Sequence, residues 1–142
     1  MKLAYVDTNV LLRFITAAPV EQAAQARTLF AAAESGEVVL ILDEIIVAET
    51  IWVLSSFYKF SKKEIKEVLL PILANRGIKV RNERDILLAL TFFADMNVDF
   101  ADALVSVHMD GNGVPDIVTF DKHFDRLPGV NRMSPKEFLA TN

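Results

Sequence analysis

Short apolar segments alternate along this chain with longer segments in which apolar residues recur every three to four positions. The short runs predict four strands and a last edge strand, at residues 3–6, 38–42, 78–80, 117–120 and 130–133. Helical spacing predicts helices between them, at residues 20–33, 45–57, 62–74, 83–97 and 100–109. One or two helical turns are expected within 9–16, and a short final helix begins at Ser134 and Pro135. This alternation predicts an α/β fold with an open, mostly parallel sheet of four or five strands.

Local signals mark several helix ends. Ser61 followed by Glu64 fits a capping box at the start of the 62–74 helix. Pro71 is expected to disturb that helix near its end, because proline lacks the backbone N–H that a helix interior needs. Asp43 lies where the N-cap of the 45–57 helix would lie.

The composition is that of one folded domain. A length of 142 residues predicts a single domain over 1–142, and a hydrophobic fraction of 52% excludes a disordered chain. No apolar run reaches the ~20 residues of a membrane-spanning helix, so no membrane association is expected. The lack of cysteine excludes disulfides and thiolate chemistry, and it is compatible with a cytoplasmic location. A net charge of -4 argues against a broad phosphate-binding surface, but not against a nucleic-acid enzyme whose carboxylates hold metal ions.

Four of the 19 acidic residues have mainly apolar neighbours in sequence. They are Asp7 after the first strand, Glu49 within the 45–57 helix, Asp102 within the 100–109 helix, and Asp121 after the fourth strand. A carboxylate in an apolar segment is costly to bury unless it is paired or holds a cation. Asp99 lies three residues before Asp102 and projects from the same helix face. If the four acids converge, their repulsion requires cations, and oxygen-only ligands favour Mg²⁺ or Mn²⁺.

Each acid also has a structural interpretation. An aspartate after a strand is often a helix N-cap, which is an equal alternative for Asp7 and the favoured one for Asp99 taken alone. Glu49 could lie at the solvated edge of its helix, and Asp121 could begin a turn. The hypothesis of a metal site therefore depends on the four acids together.

The motifs around these acids resemble those of PIN domains and, more narrowly, of the VapC-type toxins of bacterial and archaeal toxin–antitoxin pairs. In the order of that family, the matching segments are YVDTNVLLRF at 5–14, AETIWVL at 48–54, DFADAL at 99–104 and VTFDK at 118–122. Residues 22–29 also resemble the second helix of the family, so the similarity covers nearly the whole chain.

The resemblance implies a three-layer α/β/α PIN fold and an endoribonuclease that uses Mg²⁺, with Mn²⁺ as a substitute. By position, the acidic metal site corresponds to Asp7, Glu49, Asp102 and Asp121, with Asp99 as an additional acid. Polar positions beside the acids are matched by Thr8, Asn9 and Thr119, which would orient them. The resemblance also implies an RNA substrate, a homodimer and neutralisation by a small VapB-like antitoxin.

The chemistry of the residues agrees with this. Hydrolysis of a phosphodiester needs an activated water and neutralisation of the phosphate charge, and carboxylates that hold one or two Mg²⁺ supply both. Asp7 and Asp102 are the first choices for direct ligands. Arg13, one or two helical turns beyond Asp7, is a candidate for contact with a phosphate.

Two other interpretations compete with it, and one basic cluster has two interpretations of its own. His108 and His123 are the only histidines and could serve as acid and base of a metal-free ribonuclease. A catalytically silent PIN-fold scaffold or RNA-binding module would be expected to lack one of the acids, and none is lacking. The lysines at 59, 62, 63 and 66 lie among aromatic residues and fit either a solvated helix face or an RNA-backbone track.

Overall fold

The computed structural model of the protein describes residues 2–141, which divide into two compact units between Glu83 and Arg84. The first unit contains β1 (Lys2–Tyr5), α1 (Thr8–Thr16), α2 (Val20–Glu34), β2 (Val38–Leu42), α3 (Glu44–Ser56), α4 (Lys62–Leu73) and β3 (Ile78–Val80). Helix α5 (Glu83–Asp95) begins at the last residue of that unit. The second unit continues with α6 (Phe100–Gly111), β4 (Asp116–Val118), a 3-10 helix (Lys122–Arg126), β5 (Asn131–Met133) and α7 (Pro135–Leu139).

A three-stranded parallel sheet, in the order β1-β2-β3, organises the first unit. Lys2 pairs with Val38 at one end of the β1–β2 ladder, and Tyr5 pairs with Ile41 at the other. Because the strands are parallel, the carboxyl ends of β1 and β2 lie at the same edge of the sheet. Asp7 and Asp43 follow those two ends and are the N-caps of α1 and α3.

Helices α1 and α2 pack against each other after a three-residue connection. Ala23 and Ala26 are buried on α2, where small side chains permit close approach of the two helices. Phe14 and Phe30 meet edge to face, with ring centroids 4.6 Å apart. The packing of α1 against α2 therefore fixes the position of the residues at the N-terminus of α1.

The second unit has a two-stranded parallel sheet made of β4 and β5. Asp116 pairs with Asn131 and Val118 with Met133, and Thr119 N donates to the carbonyl of Met133 just beyond the ladder. Arg132 of β5 donates from Nε and Nη2 to the two carboxylate oxygens of Asp125, at 2.9 and 3.0 Å. This fork ties the 3-10 helix to the sheet.

The predicted order of strands and helices is confirmed, and all five strands pair in parallel. They are divided between a sheet of three strands and a sheet of two. The prediction of a buried first strand is wrong: β1 is an edge strand of its sheet, with Leu3 64% and Tyr5 67% exposed. No helix in the described part of the chain is both long and apolar enough to cross a membrane.

Helix α4 contains both local signals that the sequence predicted for it, a capping box and a proline near its end. Ser61 and Glu64 form the capping box, each side chain accepting from the backbone N–H of the other residue. Pro71 lies inside α4, which nevertheless continues to Leu73. Pro71 lacks the N–H that a helix interior needs, and the helix ends two residues later, where Ala74 N donates to the carbonyl of Leu70.

Candidate active site

Asp7 begins α1 and is held by the helix that it caps. Its backbone is extended, with φ -91° and ψ 162°, and its Oδ1 accepts a hydrogen bond of 2.8 Å from Thr8 N. The side chain is exposed. Asp7 is thus an N-cap, as one of its two interpretations held, and it also presents a fixed, accessible carboxylate at the carboxyl end of β1.

Thr8 supplies the second notable group at this end of α1. The residue is buried, and its Oγ1 has no hydrogen-bond partner among the described residues. A buried hydroxyl without a partner is uncommon, and it often marks a place where a water or ion belongs. The observation favours a polar ligand beside Asp7.

Glu49 lies on an exposed face of α3. Ile45, Glu49 and Trp52 follow one another at helical spacing and all three are exposed, Ile45 by 70% and Trp52 by 67%. Glu49 therefore lies at the solvated edge of its helix, as its structural interpretation held. Helices α1 and α3 are in contact, so Asp7 and Glu49 come from two helices that pack together.

The start of α6 carries two acids. Asp99 occupies the N-cap position, but its side chain makes no capping hydrogen bond. Asp102 is in the first turn of the helix and is half-buried. Their spacing of three residues places both on one helix face, beside backbone N–H groups that favour negative charge.

Asp121 is held by several hydrogen bonds. Its backbone N–H donates to Thr119 Oγ1 at 3.0 Å, and its Oδ1 accepts from His123 N at 2.9 Å. His123 Nδ1 lies 2.7 Å from the same carboxylate oxygen. The backbone N–H of His123, assisted by the imidazole, holds the pKa of Asp121 below its usual value. Asp121 therefore stays ionised to a lower pH than an unperturbed aspartate.

The structure corrects one premise of the sequence argument. The apolar neighbours in sequence suggested buried carboxylates, yet Asp7, Glu49 and Asp99 are exposed, and Asp102 and Asp121 are half-buried. Some apolar neighbours turn inward, as Val47 and Ile51 do beside Glu49, whereas others, such as Phe120 beside Asp121, are exposed themselves. Within each unit, the described residues form no group of three or more histidine, aspartate or glutamate side chains that could hold a metal ion.

The sequence analysis did not predict two of the side-chain contacts at these residues. Arg13 Nε donates to Gln22 Oε1 at 2.7 Å, which joins α1 to α2 and was not signalled by either residue alone. The pairing of His123 with Asp121 was detectable, because an aspartate two residues before another residue commonly accepts its backbone N–H in an Asx turn. His108 lies 3.9 Å from Asp85, so each histidine has a carboxylate beside it.

The chain matches the PIN domain family over residues 4–130, and it belongs to that family. All the acids described above lie within the matched range. A more particular likeness is to a VapC ribonuclease of Aquifex aeolicus (strain VF5), which is 28% identical over 137 residues. That alignment covers 96% of this chain and 98% of the relative. The predicted family and its α/β fold are confirmed.

The donor set fits a hard divalent cation. The acids offer only oxygen ligands, and the Thr8 hydroxyl adds a buried polar group next to Asp7. Oxygen donors of this kind suit Mg²⁺ and Mn²⁺ rather than zinc, which prefers nitrogen and sulfur.

Proposed function

We propose that this protein is a metal-dependent endoribonuclease and the toxin of a toxin–antitoxin pair, acting in the cytoplasm. The observation that carries the proposal is how two of the family-motif acids, Asp7 and Asp121, are held. Asp7 and Asp121 are each held through Oδ1 by backbone N–H groups, at 2.8 and 2.9 Å. A carboxylate fixed in this way is oriented before any ligand arrives.

Each acid has a role in this proposal. Asp7 and Asp102 would hold Mg²⁺ directly, and Asp121 and Glu49 would hold a second ion or orient the attacking water. Asp99 adds negative charge on the face of α6 that carries Asp102. Bound Mg²⁺ supplies positive charge against the scissile phosphate and makes water more acidic.

The polar neighbours position the acids. Thr8 N and the Thr119 hydroxyl bond to Asp7 and to the backbone of Asp121, and they keep both carboxylates in place. The hydrogen bonds from His123 lower the pKa of Asp121, so a proton competes with a cation for that carboxylate only at a lower pH than usual. Because water attacks rather than the RNA 2′-hydroxyl, we expect products with 5′-phosphate and 3′-hydroxyl ends.

The two compact units are, in this proposal, parts of one PIN domain. The family match runs from residue 4 to residue 130 and so passes through both. A single cooperative unfolding transition, seen alike by circular dichroism and fluorescence, would support one domain. Two separate transitions would contradict it.

The relative named above is a ribonuclease, which supports RNA as the substrate. Purified protein is expected to cleave single-stranded RNA in Mg²⁺ or Mn²⁺ and not in EDTA. Asp102→Asn should lower the rate by roughly 100-fold or more, the upper range for disturbed metal sites. Asp110→Asn, an exposed aspartate farther along α6, is the matched control and should leave the rate unchanged.

Equal cleavage in EDTA would overturn the metal mechanism and favour an acid–base pair formed by His108 and His123. Absence of cleavage in every divalent cation, with RNA binding retained, would favour the catalytically silent alternative. Against that alternative stands the presence of every acid that the family motifs contain, of which Asp7, Glu49 and Asp99 are exposed.

We also propose a homodimer that binds a small VapB-like antitoxin. Trp52 and Phe57 on and just beyond α3 are 67% and 74% exposed, and such apolar surface commonly marks a protein interface. Phe57 contacts Tyr58, which in turn contacts Phe60, so the exposed ring belongs to an aromatic group. Sedimentation at micromolar concentration tests the dimer, and a strict monomer would contradict it.

A further inference from the structure

A groove of about 530 Å³ lies between α1 and α2 in the first unit. Four of the residues that line it carry polar side chains: Asn9 and Arg13 from α1, and Gln22 and Gln25 from α2. Asn9 and Arg13 are four residues apart and so share a face of their helix. The groove thus combines one cation with three amides, each of which can donate and accept hydrogen bonds.

Gln22 holds Arg13 in a defined orientation. The 2.7 Å hydrogen bond uses only Nε of the guanidinium, and it is accepted by a neutral amide oxygen. Among the described residues no carboxylate pairs with Arg13, and its side chain is only half-buried. Both terminal nitrogens are therefore available in one plane, which is the arrangement that binds two oxygens of a phosphate.

The groove begins beside the first acid of the proposed site. Asn9 is two residues after Asp7, and Arg13 is six residues after it. At 1.5 Å per residue, Arg13 lies roughly 9 Å along the helix axis from Asp7. A phosphate bound by Arg13 would therefore belong to a nucleotide beside the one that is cleaved.

We infer that the α1–α2 groove is a subsite for a nucleotide that flanks the cleaved bond, in which Arg13 binds the backbone phosphate and Gln22 positions Arg13. Asn9 and Gln25 face the same groove and can hydrogen-bond to the base or ribose. This inference depends on the proposed ribonuclease function. It adds the path that the RNA backbone takes next to the cleaved bond. RNA is favoured over an acidic peptide because the groove begins beside Asp7, the first acid of the proposed site, and its amides can pair with the donors and acceptors of a base edge.

RNA binding measured without cleavage tests the subsite. The probe is a fluorescein-labelled single-stranded oligoribonucleotide of mixed sequence, titrated with the full chain in EDTA at several salt concentrations. Arg13→Gln is expected to weaken binding about tenfold and to reduce the slope of log K against log salt by about 0.7, the value for one lost phosphate contact. Arg13→Lys should keep the slope and lose part of the affinity, because it retains the charge without the fork.

Gln22→Ala separates positioning from charge. It should weaken binding about threefold at an unchanged salt slope, because the cation is still present but no longer held. Arg27→Gln removes a charge from an exposed position of α2 that does not line the groove, and it should match the native chain. In Mg²⁺, Arg13→Gln should raise KM with little change in kcat, as expected for a residue that binds substrate away from the reacting atoms.

Unchanged affinity and slope in folded Arg13→Gln would overturn the subsite. If the same variant instead lost binding to an acidic peptide, the groove would be assigned to a protein partner. The proposed function fails by a different result, namely no metal-dependent cleavage by the native chain, so the two failures are distinguishable.

Discussion

Asp7 caps a helix and is proposed to bind a metal ion, and two substitutions separate these roles. Asp7→Asn retains an oxygen at the Oδ1 position, so it can still accept from Thr8 N, but it removes the negative charge. Asp7→Ala removes both the acceptor and the charge. We expect both variants to lose RNA cleavage and only the second to lose stability.

The size of the effect follows from the 2.8 Å cap contact. Loss of an N-cap acceptor destabilises by about 1 kcal/mol, and loss of a carboxylate beside the helix N-terminus by about 0.5 kcal/mol more. For a chain of this size 1 kcal/mol corresponds to roughly 3 °C in Tm, so Asp7→Ala should lower Tm by roughly 4–5 °C. In Asp7→Asn the cap acceptor is kept and only the charge contribution of about 0.5 kcal/mol is lost, so Tm should fall by less than about 2 °C.

Asp43 is the matched control. It caps α3 as Asp7 caps α1, its Oδ1 accepts from Ile45 N at 3.1 Å, and it also follows a strand of the same sheet. Its ion pair with Arg81 is long, at 3.8 Å, and the Arg81 side chain is exposed, so the pair adds little to stability. Asp43→Ala should therefore lower Tm about as much as Asp7→Ala and keep full cleavage activity.

The assay combines melting in EDTA with RNA cleavage in Mg²⁺ at a temperature well below every transition. Full activity in Asp7→Asn would refute a metal-binding role for this carboxylate. Loss of activity in Asp43→Ala equal to that in Asp7→Ala would show that cleavage follows helix stability rather than the carboxylate. A clear drop in Tm for Asp7→Asn would mean that the charge serves mainly to cap α1.

Two further predictions concern stability. Gly77→Ala should destabilise the fold by about 3 kcal/mol, because the added Cβ would overlap the backbone carbonyl of Ala33. Gly111→Ala should not destabilise it, because no atom lies near its Cβ, and thermal melting compares the two variants. The fork from Arg132 lowers the pKa of Asp125 below its usual 3.8, so the pair stabilises the fold above that pH and ceases to do so as pH falls through the lowered pKa. Arg132→Gln should therefore melt below the native chain near neutral pH and together with it in strong acid, and a difference that persists in acid would contradict this account.

The order of the elements was determined by the sequence alone. Apolar periodicity reports which face of a segment is buried, and this is enough to separate strands from helices. The capping box of Ser61 and Glu64 and the N-cap Asp43 were also predictable, because the groups that bond there are within three residues of each other. The family motifs belong to the same local level, and the match over residues 4–130 agrees with them.

The tertiary structure alone decided the features that depend on residues distant from each other along the chain. The edge position of β1, with Leu3 and Tyr5 exposed, depends on which strands pair, and hydrophobicity within a strand does not encode pairing. The accessibility of the acids follows from how each helix is rotated against its neighbours, which apolar residues on either side in sequence do not specify. Arg13 meets Gln22 only because α1 and α2 pack together, so its orientation is a product of helix packing rather than of the segment that contains it.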